Sequence, residues 1–186
     1  MIEITSEQLE RVSVMLAGIP KGAERAYSNA INRGLGKVKT QATKEVRKVY
    51  EIKQSDLSGA TVTRAQKAST GNLAGYISFS GVKIPLYKFN VSPNAPGKGK
   101  KLKAGLMKGS WTLFEDAFVA QMKSGHIGIF EREDEAKLPI KQIMGLSGAQ
   151  MVGNVEITEK MSKEAQEMVN ERVIHEMNRI LNGYGG

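Results

Sequence analysis

The acids Glu131, Glu133, Asp134 and Glu135 are the densest group of side chains in this sequence that could do chemistry. Closely spaced carboxylates can act as a general acid and base, or hold the divalent metal of a nuclease. A run of acids in a short hydrophilic stretch is more typical of a solvated turn. We therefore predict a charged hairpin tip over 131–137. A small hydrolase or nuclease using Glu131, Glu133 or Asp134 remains as a third hypothesis.

The other residues with catalytic or metal-binding potential are sparse. His126 and His175 lie far apart, and neither stands in a recognised ligand spacing. Structural zinc sites use Cys and His in sets of four, and the chain has no cysteine, which also removes disulfides and thiolate nucleophiles. We expect His126 to begin a strand and His175 to lie on a helix surface or interface. We predict no enzyme activity, no catalytic residue, no metal site and no cofactor.

A lysine-rich segment at about 92–108 is the strongest candidate for contact with a polyanion. Its stretch 97–101 superficially resembles a phosphate-binding loop but lacks the order G-x-x-x-x-G-K-[ST]. Each lysine could neutralise one phosphate, with strong salt dependence and no sequence preference, and no interleaved aromatic residue offers base stacking. Low apolar content predicts a mobile loop. Its lysines are Lys98, Lys100, Lys101, Lys103 and Lys108.

Charge is unevenly distributed along the 186 residues, whose net charge is +8. Residues 1–108 carry 19 Lys and Arg against 7 Asp and Glu, a net charge of +12, whereas residues 109–186 carry 8 against 12, a net charge of −4. Such asymmetry can bind a polyanion or set the basic face of one copy against the acidic face of the next. A solvated surface with a basic loop is the plainer interpretation. We expect neither a signal peptide nor a membrane span.

Two long helices are predicted from apolar residues that recur every three or four positions. After a capping box at Thr5 and Gln8 and a short helix that stops near Gly18, the first long helix runs from Lys21 to about Tyr50. The second runs from Glu156 to Asn182. Gly34 and Gly36 weaken the first helix, and they mark a bend or a close approach of another backbone.

Strands are predicted between these helices. Residues 73–80 alternate in polarity, and a turn at Gly81 leads into Val82–Phe89 as their hairpin partner. Pro85 lacks an amide donor, so this second strand is expected at an edge or with a bulge. A further strand is predicted over 126–132, and residues 138–147 are expected to be extended at their start because of Pro139. The fold class is α+β: a bent antiparallel sheet flanked by a long N-terminal helical segment and a long C-terminal helix, in a single domain over 1–186.

The order of several short motifs resembles the prophage minor tail protein Z family, the tail completion or neck proteins of long-tailed phages. The similarity covers most of residues 20–182. The motifs are Ala26-Tyr27-Ser28-Asn29-Ala30-Ile31-Asn32-Arg33, Val49-Tyr50-Glu51-Ile52-Lys53, Ile84-Pro85-Leu86-Tyr87-Lys88-Phe89, Ala117-Phe118-Val119-Ala120, Phe130-Glu131-Arg132 and Leu138-Pro139-Ile140 with Gly145-Leu146-Ser147.

The resemblance implies a non-enzymatic structural protein at the head–tail junction. It implies a homo-oligomeric ring around the DNA channel, with neighbouring tail-terminator, tail-tube and head-connector proteins as partners, possible contact with phage DNA, and no membrane partner. The protein would reside in the host bacterial cytoplasm during assembly and then in the virion. We predict subunit-interface residues within the matching blocks and the apolar cluster beside them. They are Pro85, Tyr87, Phe89, Trp111, Phe118, Glu131 and Arg132.

The main alternative is a sequence-nonspecific nucleic-acid-binding protein. It would use the basic N-terminal helix and the Lys-rich segment, and a sequence pI of about 9.6 favours it. Tight DNA binding by the isolated protein at physiological salt would support this alternative over a structural role.

Overall fold

The computed structural model describes residues 6–97 and 101–183. Within these ranges the chain forms five α-helices, one 3-10 turn at Leu86–Lys88 and ten strands. The helices are α1 (Ser6–Met15), α2 (Gly22–Val49), α3 (Gln54–Ala60), α4 (Gly148–Val152) and α5 (Val155–Leu181). The strands are β1 (Thr61–Gln66), β2 (Tyr76–Gly81), β3 (Lys83–Pro85), β4 (Asn90–Ser92), β5 (Leu102–Gly105), β6 (Thr112–Phe114), β7 (Phe118–Gln121), β8 (Ile127–Arg132), β9 (Ile140–Gln142) and β10 (Met144–Ser147).

The predicted α+β class is confirmed, with α2 and α5 as the long N-terminal and C-terminal helices. Hydrogen bonding divides the described strands into four small sheets, ordered β1-β2, β10-β3, β4-β5-β6 and β7-β8-β9. The pairs in the last three sheets are antiparallel. The predicted strand at 126–132 corresponds to β8, and α5 is followed by Gly183 in the left-handed conformation with φ of 78°.

The chain divides into two compact units. The helical unit contains the described parts of 1–42, 63–78 and 155–186, and the sheet unit contains 43–62 and 79–154. The core of the helical unit is built from the apolar faces of α1, α2 and α5, as the spacing predicted. Its buried residues are Val12, Leu16, Ala23, Ala26, Tyr27, Ala30, Ile31, Leu35, Ala68, Val169, Val173, Met177 and Ile180. The single-domain assignment stays a prediction.

The sheet unit buries apolar residues from its short strands and from the end of α2. Ser147 begins α4 with a capping box, in which its hydroxyl accepts from the Gln150 amide and the Gln150 side chain accepts from the Ser147 amide. An ideal Cβ at Gly145 would come within 2.6 Å of Phe89 Cε2, so the Phe89 ring packs directly on that backbone. The most buried large side chains of this unit are Val46, Ile84, Leu86, Leu102, Ile129 and Met151.

The predicted hairpin between residues 73–80 and Val82–Phe89 is wrong. Strand β2 pairs with β1, and β3 pairs with β10, where Met144 lies opposite Pro85 and Ser147 opposite Lys83. Alternation of polarity specifies that a segment is extended, but the partner is chosen by tertiary burial, and Ile84 is only 2% exposed in β3. The register between β3 and β10 is irregular, as expected for a strand that contains proline.

The loop assigned to 92–108 also needs correction, because residues 102–105 form strand β5 between β4 and β6. Leu102 and Ala104 are buried at 1% and 0% exposure, while Lys103 between them is exposed. This period-two alternation is the pattern of a half-buried strand, and the lysines concealed it in the sequence. Lys98 and Lys100 lie outside the described residues, as does Thr5.

Each helix in the described ranges is too short or too polar to cross a lipid bilayer.

Candidate interaction surfaces

The predicted lysine cluster occupies more than one place on the sheet unit. Lys101 is exposed and its Nζ lies 3.3 Å from Glu115 Oε1. Lys103 is exposed on β5, opposite Ser92 of β4 and Leu113 of β6. Lys108 is exposed beyond β5, where its backbone amide donates to Val49 O at 2.8 Å. The described lysines are therefore spread over the β5 region, and Lys108 belongs to a separate cleft described below.

The outer face of the β4-β5-β6 sheet carries exposed apolar side chains. Trp111 is 49% exposed and Leu113 is 43% exposed. The Trp111 ring lies beside the Gly105 backbone, 3.6 Å from an ideal Cβ at that position. Residues opposite one another across strands share a face, so Leu113 and Lys103 present an apolar and a basic group side by side. Trp111 is thus accessible to another molecule, as its assignment to an interface requires.

Two more of the predicted interface residues, Phe118 and Arg132, are brought together by the β7-β8 hairpin. The Phe118 and Phe130 ring centroids are 6.5 Å apart, and the Arg132 guanidinium carbon lies 5.1 Å from the Phe118 ring centroid. Arg132 Nη1 also donates to Lys137 O at 2.8 Å. The cation over the ring and this hydrogen bond hold the base of the 133–139 turn. Glu131 lies opposite Lys141 in β9.

The predicted interface residues Pro85, Tyr87 and Phe89 have local roles within the sheet unit. Pro85 is half-buried in β3, and the Tyr87 hydroxyl donates to Asn94 O at 2.9 Å. Phe89 is 6% exposed. Tyr87 and Phe89 nevertheless line open depressions on the surface of this unit. Their assignment to a subunit interface stays a prediction.

A basic cleft is the feature that the sequence did not predict as a site. We define the basic cleft by the four cations Arg47, Lys53, Lys88 and Lys108, which surround a depression floored by Tyr50, Ile52 and Phe89. All four side chains belong to exposed residues, and they come from the end of α2, the start of α3, the 3-10 turn and the loop after β5. Because these positions are far apart in the sequence, no local motif predicts that they form a cluster.

The basic cleft is not uniformly positive. Glu51 lines it, and a neighbouring depression that shares Lys53 and Lys88 contains Asp56. Lys88 Nζ lies 3.1 Å from Asp56 Oδ1, and Arg47 Nη1 donates to Gln54 Oε1 at 3.1 Å. Within residues 6–97 and 101–183, Lys53 and Lys108 make no ion pair. These two lysines are the cations most available to an incoming anion.

The acids considered for catalysis lie on the turn between β8 and β9. Glu133, Asp134 and Glu135 are exposed, and the Glu133 amide donates to Pro139 O at 3.3 Å, which closes the predicted hairpin tip. His126 Nε2 lies 3.1 Å from Gln142 Nε2, and His175 is exposed on α5. In the part of the chain that the structure describes, no group of three or more His, Asp or Glu is arranged to hold a metal ion.

The comparison with known families agrees with the motif order. A family model for prophage minor tail protein Z (GPZ) matches residues 9–184 of the 186. The match includes both long helices and all the strands, so the chain is a prophage minor tail protein. It belongs to the prophage minor tail protein Z family. No curated protein and no solved structure matches the chain significantly.

Proposed function

We propose that this protein is a non-enzymatic tail completion component, which assembles as a homo-oligomeric ring around the DNA channel at the head–tail junction. The family match over residues 9–184 carries the proposal. The partners on either side are the tail-terminator, tail-tube and head-connector proteins. The protein acts first in the host cytoplasm and then as part of the virion.

Surface chemistry supports a role in assembly. A ring needs a heterologous interface, in which one patch of a subunit meets a different patch of the next. The sheet unit offers exposed apolar side chains at Trp111 and Leu113, with a basic cleft and an acidic turn elsewhere in the same unit. Such chemically distinct patches suit head-to-tail contact between identical subunits.

A complementation experiment tests the proposed function. The gene is deleted from its prophage and supplied in trans, and induced lysates are scored for infectious titre and for the protein in purified particles. We expect the deletion to abolish infectivity, the wild-type protein to restore it, and the protein to co-purify with tails. Full infectivity of the deletion, or absence of the protein from particles, would contradict the proposal.

The lysines of the segment at about 92–108 test whether the ring contacts DNA. Lys-to-Gln changes at Lys98, Lys100, Lys101 and Lys103 remove the positive charge while keeping a polar, flexible side chain. If these lysines face the channel, infectivity should fall more than particle assembly. Equal loss of both would count against a channel role.

A general nucleic-acid-binding function is the second candidate, favoured by the net charge of +12 over residues 1–108. Contacts with phosphates give affinities that fall steeply with salt. A gel shift with duplex DNA over a salt series separates the candidates. Tight binding by the isolated protein at physiological salt, combined with normal particles from the deletion, would favour this second function.

A further inference from the structure

We infer that the basic cleft receives the acidic turn of a second copy of this chain, in a head-to-tail contact between subunits. We define the acidic turn as residues 133–137, the first part of the 133–139 connection from β8 to β9, near the base formed by Arg132 and Phe118. The inference deepens the proposed function and rests on it, because it assigns the two complementary patches that a ring requires.

The two surfaces are complementary in charge. The basic cleft has a net charge of +3 from four bases and Glu51. The acidic turn has a net charge of −2 from Glu133, Asp134 and Glu135 against Lys137. It is the only place in the sequence where three acids stand consecutively. Opposite potentials of this kind align two protein surfaces and exclude wrong registers.

Both surfaces keep unpaired charges in the part of the chain that the structure describes. Among residues 6–97 and 101–183, the carboxylates of Glu133, Asp134 and Glu135 have no cationic partner. Lys53 and Lys108, which line the basic cleft, likewise have no acidic partner among these described residues. A copy that placed its acidic turn in the cleft of its neighbour would pair both sets without disturbing the described ion pairs.

The mixed charge of the cleft favours a protein occupant over a phosphate backbone. Duplex DNA presents one negative charge for about every 1.7 Å of its axis and is best met by an uninterrupted row of cations. Here Glu51 and Asp56 interrupt the cations, and each would repel a phosphate. A short turn can place its few carboxylates against Lys53 and Lys108 alone and leave the Lys88–Asp56 pair intact.

The base of the acidic turn is held in place by the neighbouring strands and by Arg132. Antiparallel pairing of β8 with β7 and β9 fixes its base through two ladders. The Arg132 side chain braces the same base by bonding Lys137 O and lying over the Phe118 ring. A turn that is already ordered loses less conformational entropy on docking than a free loop would.

Charge reversal with recovery tests the contact. One variant reverses the cleft (Lys53→Glu with Lys108→Glu), another reverses the turn (Glu133→Lys with Asp134→Lys), and a third combines all four changes. Like charges facing each other across an interface cost several kcal/mol, so each two-site variant should lower protein incorporation into particles and infectious titre at least about tenfold. The four-site variant restores opposite charges at every interface, and both measurements should recover toward wild type.

The matched control is Lys37→Glu with Lys39→Glu, which makes the same charge change on the exposed face of α2 in the helical unit. It should leave titre and incorporation near wild type. Circular dichroism and thermal unfolding of all variants check that they fold. Near-normal incorporation of either two-site variant, or failure of a folded four-site variant to recover, would overturn the inference. If the cleft variant lost DNA binding while the turn variant kept normal titre and incorporation, the inference would be overturned, and nucleic acid would be the favoured occupant of the cleft.

Cross-linking gives a measurement independent of titre. The chain contains no cysteine, so a Lys108→Cys and Asp134→Cys variant carries only the engineered pair. A short bismaleimide applied to purified particles should give a ladder of covalent oligomers, whereas the Lys37→Cys and Asp134→Cys control should not. Cross-links within one chain only would overturn the inference. Because wild-type protein is scored for incorporation in parallel, its absence from particles would instead mark failure of the proposed function.

Discussion

Gly34 of α2 lies directly against Val169 of α5 in the helical unit: an ideal Cβ at Gly34 would come 2.9 Å from Val169 Cγ2. Val169 is 1% exposed, and its branched side chain has one strongly preferred rotamer in a helix. Gly34 therefore marks the close approach of a neighbouring side chain, while the nearest backbone atom, Ala165 O, lies 3.9 Å from the same ideal Cβ. Gly36, two residues further along, has nothing within 4 Å of the equivalent position.

Alanine at these two glycines should therefore have different effects on stability. Gly36→Ala gains helix propensity and should stabilise the protein by up to about 1 kcal/mol. Gly34→Ala makes the same gain but overpacks α5, so its free energy of unfolding should fall about 1–3 kcal/mol below that of Gly36→Ala. Urea unfolding of both variants measures the difference. Adding Val169→Ala to Gly34→Ala should cost less than the two single effects together; simple additivity would contradict the contact.

The Asn32 side chain should contribute to stability, because its amide group pairs with the backbone of Ala68 as a neighbouring strand would. Its Nδ2 donates to Ala68 O at 3.0 Å, and its Oδ1 accepts from the Ala68 amide at 2.9 Å. Asn32→Ala leaves both groups of the buried Ala68 without this partner and should cost about 1–3 kcal/mol. Asn32→Asp has nearly the same shape but sets an oxygen against Ala68 O. It should also destabilise the protein in urea unfolding, and a neutral result would show that shape alone matters.

Leu102→Ala tests whether the lysine-rich segment contains an ordered strand. Leu102 is 1% exposed within the sheet unit, and truncation of such a leucine typically costs about 2–5 kcal/mol. The exposed neighbour provides a matched control, because Lys103→Ala should change stability by less than about 0.5 kcal/mol. The hydrogen-bonded amides of residues 102–105 should also be protected from hydrogen exchange. Equal, small effects of both substitutions would restore the original assignment of a mobile loop.

Local patterns predicted the elements whose signals are periodic. The stripe through Tyr27, Ile31 and Leu35 predicted α2, and the alternation at Ile77 and Phe79 predicted an extended segment, because burial of one face imposes those spacings. The pairing of that segment with β1 could not be predicted, since a strand's partner depends on contacts far away in sequence. Strand β5 was missed because only Leu102 and Ala104 carry its buried face, among lysines that dominate the composition.

The basic cleft illustrates the same limit for candidate sites. Lys108 belongs to the predicted lysine-rich segment, but Arg47, Lys53 and Lys88 come from separate elements. Their convergence depends on how α3, the 3-10 turn and the end of β5 pack together, which single-residue chemistry does not specify. The acidic turn was predicted because both its acids and its tight hairpin are local features.

Tyr27 should make stability depend on pH in the alkaline range. Tyr27 is 3% exposed in the core of the helical unit, and desolvation by burial raises the pKa of its phenol above the ordinary value of 10.0. Below that value the phenol is neutral in both the folded and the unfolded chain. As the pH rises past it, the phenol ionises first in the unfolded chain. Stability is therefore lost between the unfolded and the folded pKa, with a slope of at most about 1.4 kcal/mol per pH unit.

Comparison with Tyr27→Phe isolates this contribution, because phenylalanine does not ionise and other alkaline titrations occur in both proteins. Urea unfolding from about pH 8 to about pH 11 should give a constant stability difference at the lower end of the range. Above the ordinary tyrosine pKa the difference should shift steadily in favour of Tyr27→Phe. A stability difference that stays constant through the whole range would mean that the Tyr27 phenol ionises equally easily in both states, and that its burial does not extend to the hydroxyl.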